Sequence, residues 1–485
     1  MNSGIALAAS FAVVVGYLVL CRRSYIRKIP GPPSHSWIYG NMLELALTRT
    51  YGEQEFLWQE AYGSVYRFTG CFGEDRLMVS DPLAIQYILN SSHFPLPAFG
   101  QNMVSLIFGE HTMIGLRGQT HKRIRNEFNV GFTAPAVRNY QPIFEKFAQA
   151  ITQQLEAFDA SVINVTPPLG QATVAAIAEA ALGYSLDELG EEYLTANAQI
   201  MTSPALESAG GYLIGTIMMQ LPTWLFRAVT NLPTQTFNVV RRARYLARQL
   251  GERVVREKKD LILRGLEIDG DIFGLLLDSK HSDITREILT SEEIISQTAT
   301  VMIAGQETTV GLRFFASTAM SSDRSFIHQT NTIAFGLLEL AKNPRFQDEL
   351  RSEIHSIAGG SPAYDKPLTD RMALRDVVIP LSETITTRTG QRISQIPVRK
   401  GQIVTVGIAS YQRQEARWGE TPHEFRPARW LDGAVSKGNA IGPYSNLLTF
   451  LGGAHVCLGW RFAILEMQVV ICELVGEILV CPPGR

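Results

Sequence analysis

Apolar and polar positions change rhythm several times along the chain. From Gly4 to Cys21 no charged residue interrupts a run dominated by Ala, Val, Leu, Ile and Phe. Such a helix would span about 27 Å, close to the roughly 30 Å of a bilayer's hydrocarbon core, which predicts a membrane-spanning helix. Residues 62–82 carry short alternating runs, Ser64-Val-Tyr-Arg-Phe68 and Arg76-Leu-Met-Val79, punctuated by glycine. That two-residue period predicts a small β-sheet. From about 135 to 290 the period lengthens to that of successive amphipathic helices, with residues 205–232 unusually apolar. Thr290-Ser-Glu-Glu293 has the form of a capping box and predicts the start of a long apolar helix reaching Thr309. A strand is expected at Val377–Leu381. A last helix is expected after Gly459, where Phe462, Ala463, Leu465, Met467, Val470, Ile471 and Leu474 share helical spacing.

Composition narrows the class. The 485 residues are 46% hydrophobic and 19% charged with a net charge of −2, enough for a large core and no reason to expect a nucleic-acid partner. Five scattered cysteines, Cys21, Cys71, Cys457, Cys472 and Cys481, fit a reducing compartment rather than a disulfide framework. Arg22, Arg23, Arg27 and Lys28 follow the first apolar run, and Pro30-Gly-Pro-Pro33 follows them. A cleaved signal peptide would need basic residues before the run and small residues after it, and neither is found. The expected organisation is therefore a signal-anchor transmembrane helix over 1–21, a basic proline hinge over 22–33, and one large domain over 34–485. Positive charges after the anchor stay cytosolic, so the sequons at Asn90 and Asn164 are expected to go unused.

The chemistry concentrates near the C-terminus. In Phe450-Leu-Gly-Gly453-Ala-His455-Val-Cys457-Leu-Gly459 a lone cysteine sits between a double glycine and the start of a helix. Unpaired backbone N–H groups and the helix dipole favour a thiolate there. With no second Cys or His at zinc spacing, this suits an open-faced metal centre rather than a closed zinc cage. A lone cysteine is more often a small buried hydrophobe. The order Phe-x-x-Gly-x-(basic)-x-Cys-x-Gly makes that reading a poor second, because it resembles the haem-binding loop of the cytochrome P450 family. Family members usually carry Arg where this chain has His455.

Further segments extend the resemblance. His121 and Arg125 in Gly118-Gln-Thr-His-Lys-Arg-Ile-Arg125 are four apart and share a helix face. Alone they would pass for a solvated basic face; in the family such a pair clasps the haem propionates. Ala304-Gly305-Gln306-Glu307-Thr308 is similar to the oxygen-activation motif. By that resemblance Thr308 holds bound oxygen and relays protons, Glu307 supplies them, and Ala304 and Gly305 leave room for dioxygen. Phe425-Arg-Pro427-Ala-Arg429-Trp430 resembles the segment whose Arg locks the haem-side loop.

The resemblance implies the mainly helical haem-thiolate fold with a minor sheet, haem bound through Cys457, and insertion of one atom of O2 into a hydrophobic small molecule of xenobiotic or secondary-metabolite type. Electrons are expected from NADPH through the membrane-bound NADPH–cytochrome P450 reductase, at the endoplasmic reticulum membrane with the catalytic body in the cytosol. The nearest resemblance is to fungal members. Three departures raise the alternative of an inactive or weakly haem-binding variant. Residues 310–329 read as an insertion, since excising them rejoins Glu307-Thr-Thr309 to Thr330-Asn-Thr. No Glu-x-x-Arg occurs, and its helix is expected to be missing near 364–371. The C-terminus at Arg485 is short for the family. Loss of the Glu-x-x-Arg pairing is expected to leave Arg429 without a buried partner.

Overall fold

The computed structural model describes residues 25–46, 52–157, 164–201, 209–219, 221–267, 270–278, 289–310, 332–356, 369–430, 441–445 and 447–481. The anchor segment 1–21, the insertion after Val310, most of the stretch 364–371 and the last four residues lie outside them. No helix among the described residues is long and apolar enough to cross a membrane.

The architecture is mostly helical with small sheets. Helix α1 (Glu53–Tyr62) leads into strands β1 (Val65–Thr69) and β2 (Asp75–Val79), which pair antiparallel with Val65 opposite Val79. The alternation in residues 62–82 thus forms the expected hairpin. It is joined by two strands from far along the chain, β3 (Thr369–Met372) and β6 (Ile403–Val406), in the order β1-β2-β6-β3. The β2–β6 pairing is parallel. Between them β4 (Val377–Thr386) and β5 (Arg392–Val398) form a separate two-stranded sheet. Leu77, Val79, Ile379, Ile396 and Val404 interleave in one core between these sheets and α2 (Pro82–Asn90).

The helical body packs α3 (Ala98–Phe108), α4 (Gly118–Phe128), α5 (Gln141–Glu156) and α6 (Thr166–Leu182) with α7 (Glu191–Met201). It continues through α8 (Ala209–Met219), α9 (Thr223–Thr230) and α10 (Gln235–Leu263). Phe144 of α5 meets Phe462 edge-on with ring centroids 4.8 Å apart, both almost fully buried. Burial of side chains this size contributes about 1.5–3 kcal/mol each.

The capping box forms as read: Thr290 Oγ1 accepts from Glu293 N at 3.2 Å and Glu293 Oε2 accepts from Thr290 N at 2.9 Å. The helix it starts is short, however. Helix α11 (Ser291–Ile295) ends in a turn before α12 (Thr298–Val310) begins. The break has a cause. Fully buried Gln297 donates to His111 O and accepts from Met113 N, while Thr298 Oγ1 donates to Ile295 O. Side-chain bonds to nearby carbonyls of this kind bend helices. Helices α13 (Thr332–Lys342) and α14 (Pro344–Ser356) follow, then after the sheets the short α15 (Ile408–Gln412) and the long α16 (Trp460–Glu477).

Candidate active site

The cysteine loop is built by backbone constraints before any cofactor is considered. Phe450 is buried, and its carbonyl accepts from Cys457 N at 2.8 Å, closing the loop on itself. Leu451 is held at φ 57°, a conformation that costs a non-glycine residue about 1–2 kcal/mol and persists only where surroundings impose it. Gly453 is at φ 68°, and a Cβ there would lie 2.2 Å from the Leu89 carbonyl at the end of α2. Glycine is therefore required at 453 on two grounds. Gly459, at φ −86° with its nearest neighbour 3.5 Å from a notional Cβ, is required on neither, and caps α16. Cys457 comes out half-buried, just before the N-terminus of that helix.

Helix α4 closes against this loop. The His121 and His455 rings stack at 4.3 Å between centroids, and Arg125 Nη2 donates to Val456 O at 2.5 Å. The expected common face of His121 and Arg125 thus meets the residues flanking Cys457. Arg123, on the same helix, is anchored by an ion pair to Glu293 in the capping box. Burial, then the Arg125 charge, push the His121 pKa below its ordinary value, so the ring is neutral near pH 7. Burial lowers the Arg125 pKa too, countered by the nearby Cys457 sulfur. No carboxylate among the described residues pairs with Arg125. A partly desolvated guanidinium beside two imidazoles, with a cysteine sulfur at a helix start, is a donor set that calls for an anionic ligand.

On the facing side α12 is buried without interruption from Gln297 to Ile303 and becomes partly accessible at Ala304 and Gly305. The missing Cβ of Gly305 points at α6, where it would strike Ile177 at 2.3 Å. Its smallness is therefore consumed by helix packing, and on this geometry Ala304 is the better candidate for leaving space. The backbone of Glu307 and Thr308 continues α12, but their side chains lie outside the described residues.

Arg429 corrects an expectation. It is buried and has partners: Nε donates to Arg426 O at 3.1 Å, Nη1 to Trp418 O at 2.9 Å, and Nη2 to Thr421 O and Glu424 O, both at 2.9 Å. The guanidinium also stacks over Trp418. Backbone carbonyls of its own loop are the buried partners that Arg429 was expected to lack.

Two supports of the site were not foreseen. The Leu89 carbonyl against Gly453 comes from a helix end with no sequence signal. Thr449, beside Phe450, donates to Gln412 of α15 at 3.4 Å, a contact that only the folded chain brings together.

The residues fit a haem, with Cys457 as thiolate donor and His121, Arg125 and His455 as partners for its carboxylates. Comparison with known proteins agrees. The profile of the family described as Cytochrome P450 matches residues 30–315 and 329–480, passing over 316–328. Cytochrome P450 monooxygenase 205 of Postia placenta is 27% identical, over 97% of this chain and 89% of its own. Cytochrome P450 monooxygenase claP of Ampulloclitocybe clavipes is 26% identical over 97% of this chain and 89% of its own. Ganoderic acid synthetase CYP5150L8 of Ganoderma lucidum is 26% identical over 98% and 92%. With a family match across most of its length and relatives of the same family, the chain belongs to the cytochrome P450 family and is a haem-thiolate monooxygenase.

Proposed function

We propose that Cys457 is the axial ligand of the haem, and that the enzyme hydroxylates a hydrophobic small molecule of xenobiotic or secondary-metabolite type. The carrying observation is the closed loop that sets the half-buried Cys457 sulfur at the start of α16 beside Arg125. Haem supplies dioxygen activation and transfer of one oxygen atom; the protein supplies the ligand, the dry pocket and the protons. Cys457 Sγ binds as thiolate. The Arg125 guanidinium and the His121 and His455 rings hold the porphyrin carboxylates by charge-assisted bonds. Phe450, Gly453 and Gly459 keep the loop in shape. On α12, Ala304 would leave room for the oxygen and Gly305 would let the helix pack close on α6, while Thr308 would relay protons and Glu307 would supply them. One O2, two electrons and two protons convert a substrate C–H to C–OH and release one water. NADPH–cytochrome P450 reductase delivers the electrons.

The apolar segment 1–21 anchors the protein, single-pass, in the endoplasmic reticulum membrane with the catalytic body in the cytosol. Exposed Ile214 and Ile217 of α8, Trp224 of α9 and Trp37 support a lipid-facing surface. Trp37 lies close to α8: it packs on Phe72, and Cys71 next to Phe72 contacts Thr216 of α8.

A second reading is a chain of this family with poor haem retention, favoured by the family match passing over 316–328, inside the expected insertion 310–329. The carbon-monoxide difference spectrum of the reduced membrane fraction tests both. A red-shifted Soret band that Cys457→Ala abolishes and Cys481→Ala preserves supports the first reading. Survival of the band in Cys457→Ala would falsify the ligand assignment. A band seen only after deletion of 310–329 supports the second.

A further inference from the structure

A carboxyl far in sequence from the haem-side residues sits in a buried polar seam that ends beside the cysteine loop. Glu55 of α1 is 2% exposed. Its Oε1 accepts from Ser410 N at 2.7 Å, and a Cβ on Gly407 would lie 2.9 Å from the same oxygen. The backbone entering α15 therefore approaches the carboxyl closely. The Ser410 hydroxyl beside it makes no hydrogen bond of acceptable geometry, and neither does the buried Gln412 Nε2 two residues on. Gln412 Oε1 in turn accepts from Thr449 Oγ1 at 3.4 Å, and Thr449 precedes Phe450, whose carbonyl closes the cysteine loop. The side chains of Glu55, Gln412 and Thr449, with the backbone of α15 between the first two, thus link α1 to the loop.

Among the described residues no cation is paired with the carboxyl. Arg67 of β1 bonds Asp75, Arg76 of β2 bonds Glu74, and Arg417 is turned to the Tyr411 hydroxyl. Glu44, on the turn of helix before α1, accepts from Asn41. Tyr66 of β1 is the ionisable neighbour that feels Glu55, and its own pKa rises further in consequence of burial and of that charge. A buried, unpaired carboxylate is costly, and one backbone donor does not offset full desolvation.

We propose that Glu55 is a protonation-dependent clasp: as a neutral acid it holds α15 against α1, and its ionisation loosens α15 and, through Gln412 and Thr449, the cysteine loop. Burial places its pKa at about 7, against 4.5 for the free group, so the transition falls in the physiological range. The native state binds the extra proton. Stability from the clasp is present below pH 4.5, declines as pH rises, and is gone above about 7.

Hydrogen–deuterium exchange on the full-length holoenzyme tests this, after correction for intrinsic exchange rates. From pH 5 to 6, between the free and folded pKa values, protection in 408–412 and 447–451 should fall by up to about tenfold, the limit for one proton, and it should level off above about 7. Glu55→Gln should remove the pH dependence from both segments. Thr449→Val should keep it in 408–412 and lose it in 447–451. The infrared band of a protonated buried carboxyl should disappear between about pH 6 and 8 in the wild type, a measurement that needs no variant. Protection that does not change with pH, a change that persists in Glu55→Gln, or absence of the infrared band overturns the clasp. None of these readouts depends on Cys457 being the iron ligand.

Discussion

Two arginines resolved near the haem side of this protein meet opposite fates. Arg429 spends its donors inside its own loop, on the carbonyls of Trp418, Thr421, Glu424 and Arg426, with Trp418 against its face. Arg125 reaches across 331 residues of sequence to a single carbonyl, Val456 O, and otherwise faces imidazoles and a sulfur. Both have their pKa lowered by burial. The first is a closed cation whose work is to fold a loop. The second is an open cation whose remaining donors suit an anion from outside the chain. Whether a buried charge is structural or functional is decided by how many of its donors the chain itself consumes.

The largest expected effect is at the closed site. Arg429→Met strands four carbonyls at once, and although the loop is near the surface the loss should be about 2–4 kcal/mol in denaturant unfolding. A loss under about 0.5 kcal/mol would mean the carbonyls rehydrate freely and the loop does not need its arginine. Arg125→Met should behave differently. The haem-free chain should change by less than about 1 kcal/mol, because the lost bond is offset by relief of a desolvated charge. Haem transfer to a scavenging globin should be about tenfold faster, the equivalent of roughly 1.4 kcal/mol of lost binding. Equal destabilisation of the haem-free chain by the two substitutions would erase the distinction between the sites.

The same distinction explains what was legible in the sequence. Local signals were: the hairpin at 65–79, the capping box at Thr290–Glu293, and the face shared by His121 and Arg125 depend on residues within one or two turns of each other. The glycine at 453 was legible as permissive, but the Leu89 carbonyl that demands it was not. The break between α11 and α12 was missed because Gln297 is set by His111 and Met113, more than 180 residues earlier. At Arg429 the expectation of a cation left without a buried partner failed because the chain supplied carbonyls from the preceding eleven residues. Glu55 gave no signal at all. A glutamate in the first turn of a polar helix looks solvated until Ser410 and Gly407 are brought over it.

The smallest expected effect sharpens the open site through its pH dependence. His121 sits beside Arg125, and burial and that neighbouring charge both oppose protonation of the ring. Its folded pKa lies below the free value of 6.5, so the unfolded chain takes up the proton more readily as pH falls. Stability linked to His121 is therefore complete above pH 6.5 and declines as the pH drops from 6.5 through the folded pKa. Glu55 acts in the reverse sense over the overlapping range from 4.5 to about 7, losing stability as pH rises, so the two groups are separated by substitution rather than by pH range. In a Glu55→Gln background, His121→Gln should flatten the acid limb of the unfolding free energy. Arg125→Met should soften that acid limb without abolishing it, since burial, the larger cause, remains. If Arg125→Met instead left the acid limb as steep as in the wild type, the guanidinium would not be acting on the ring, and the cluster beside Cys457 would not behave as one electrostatic unit.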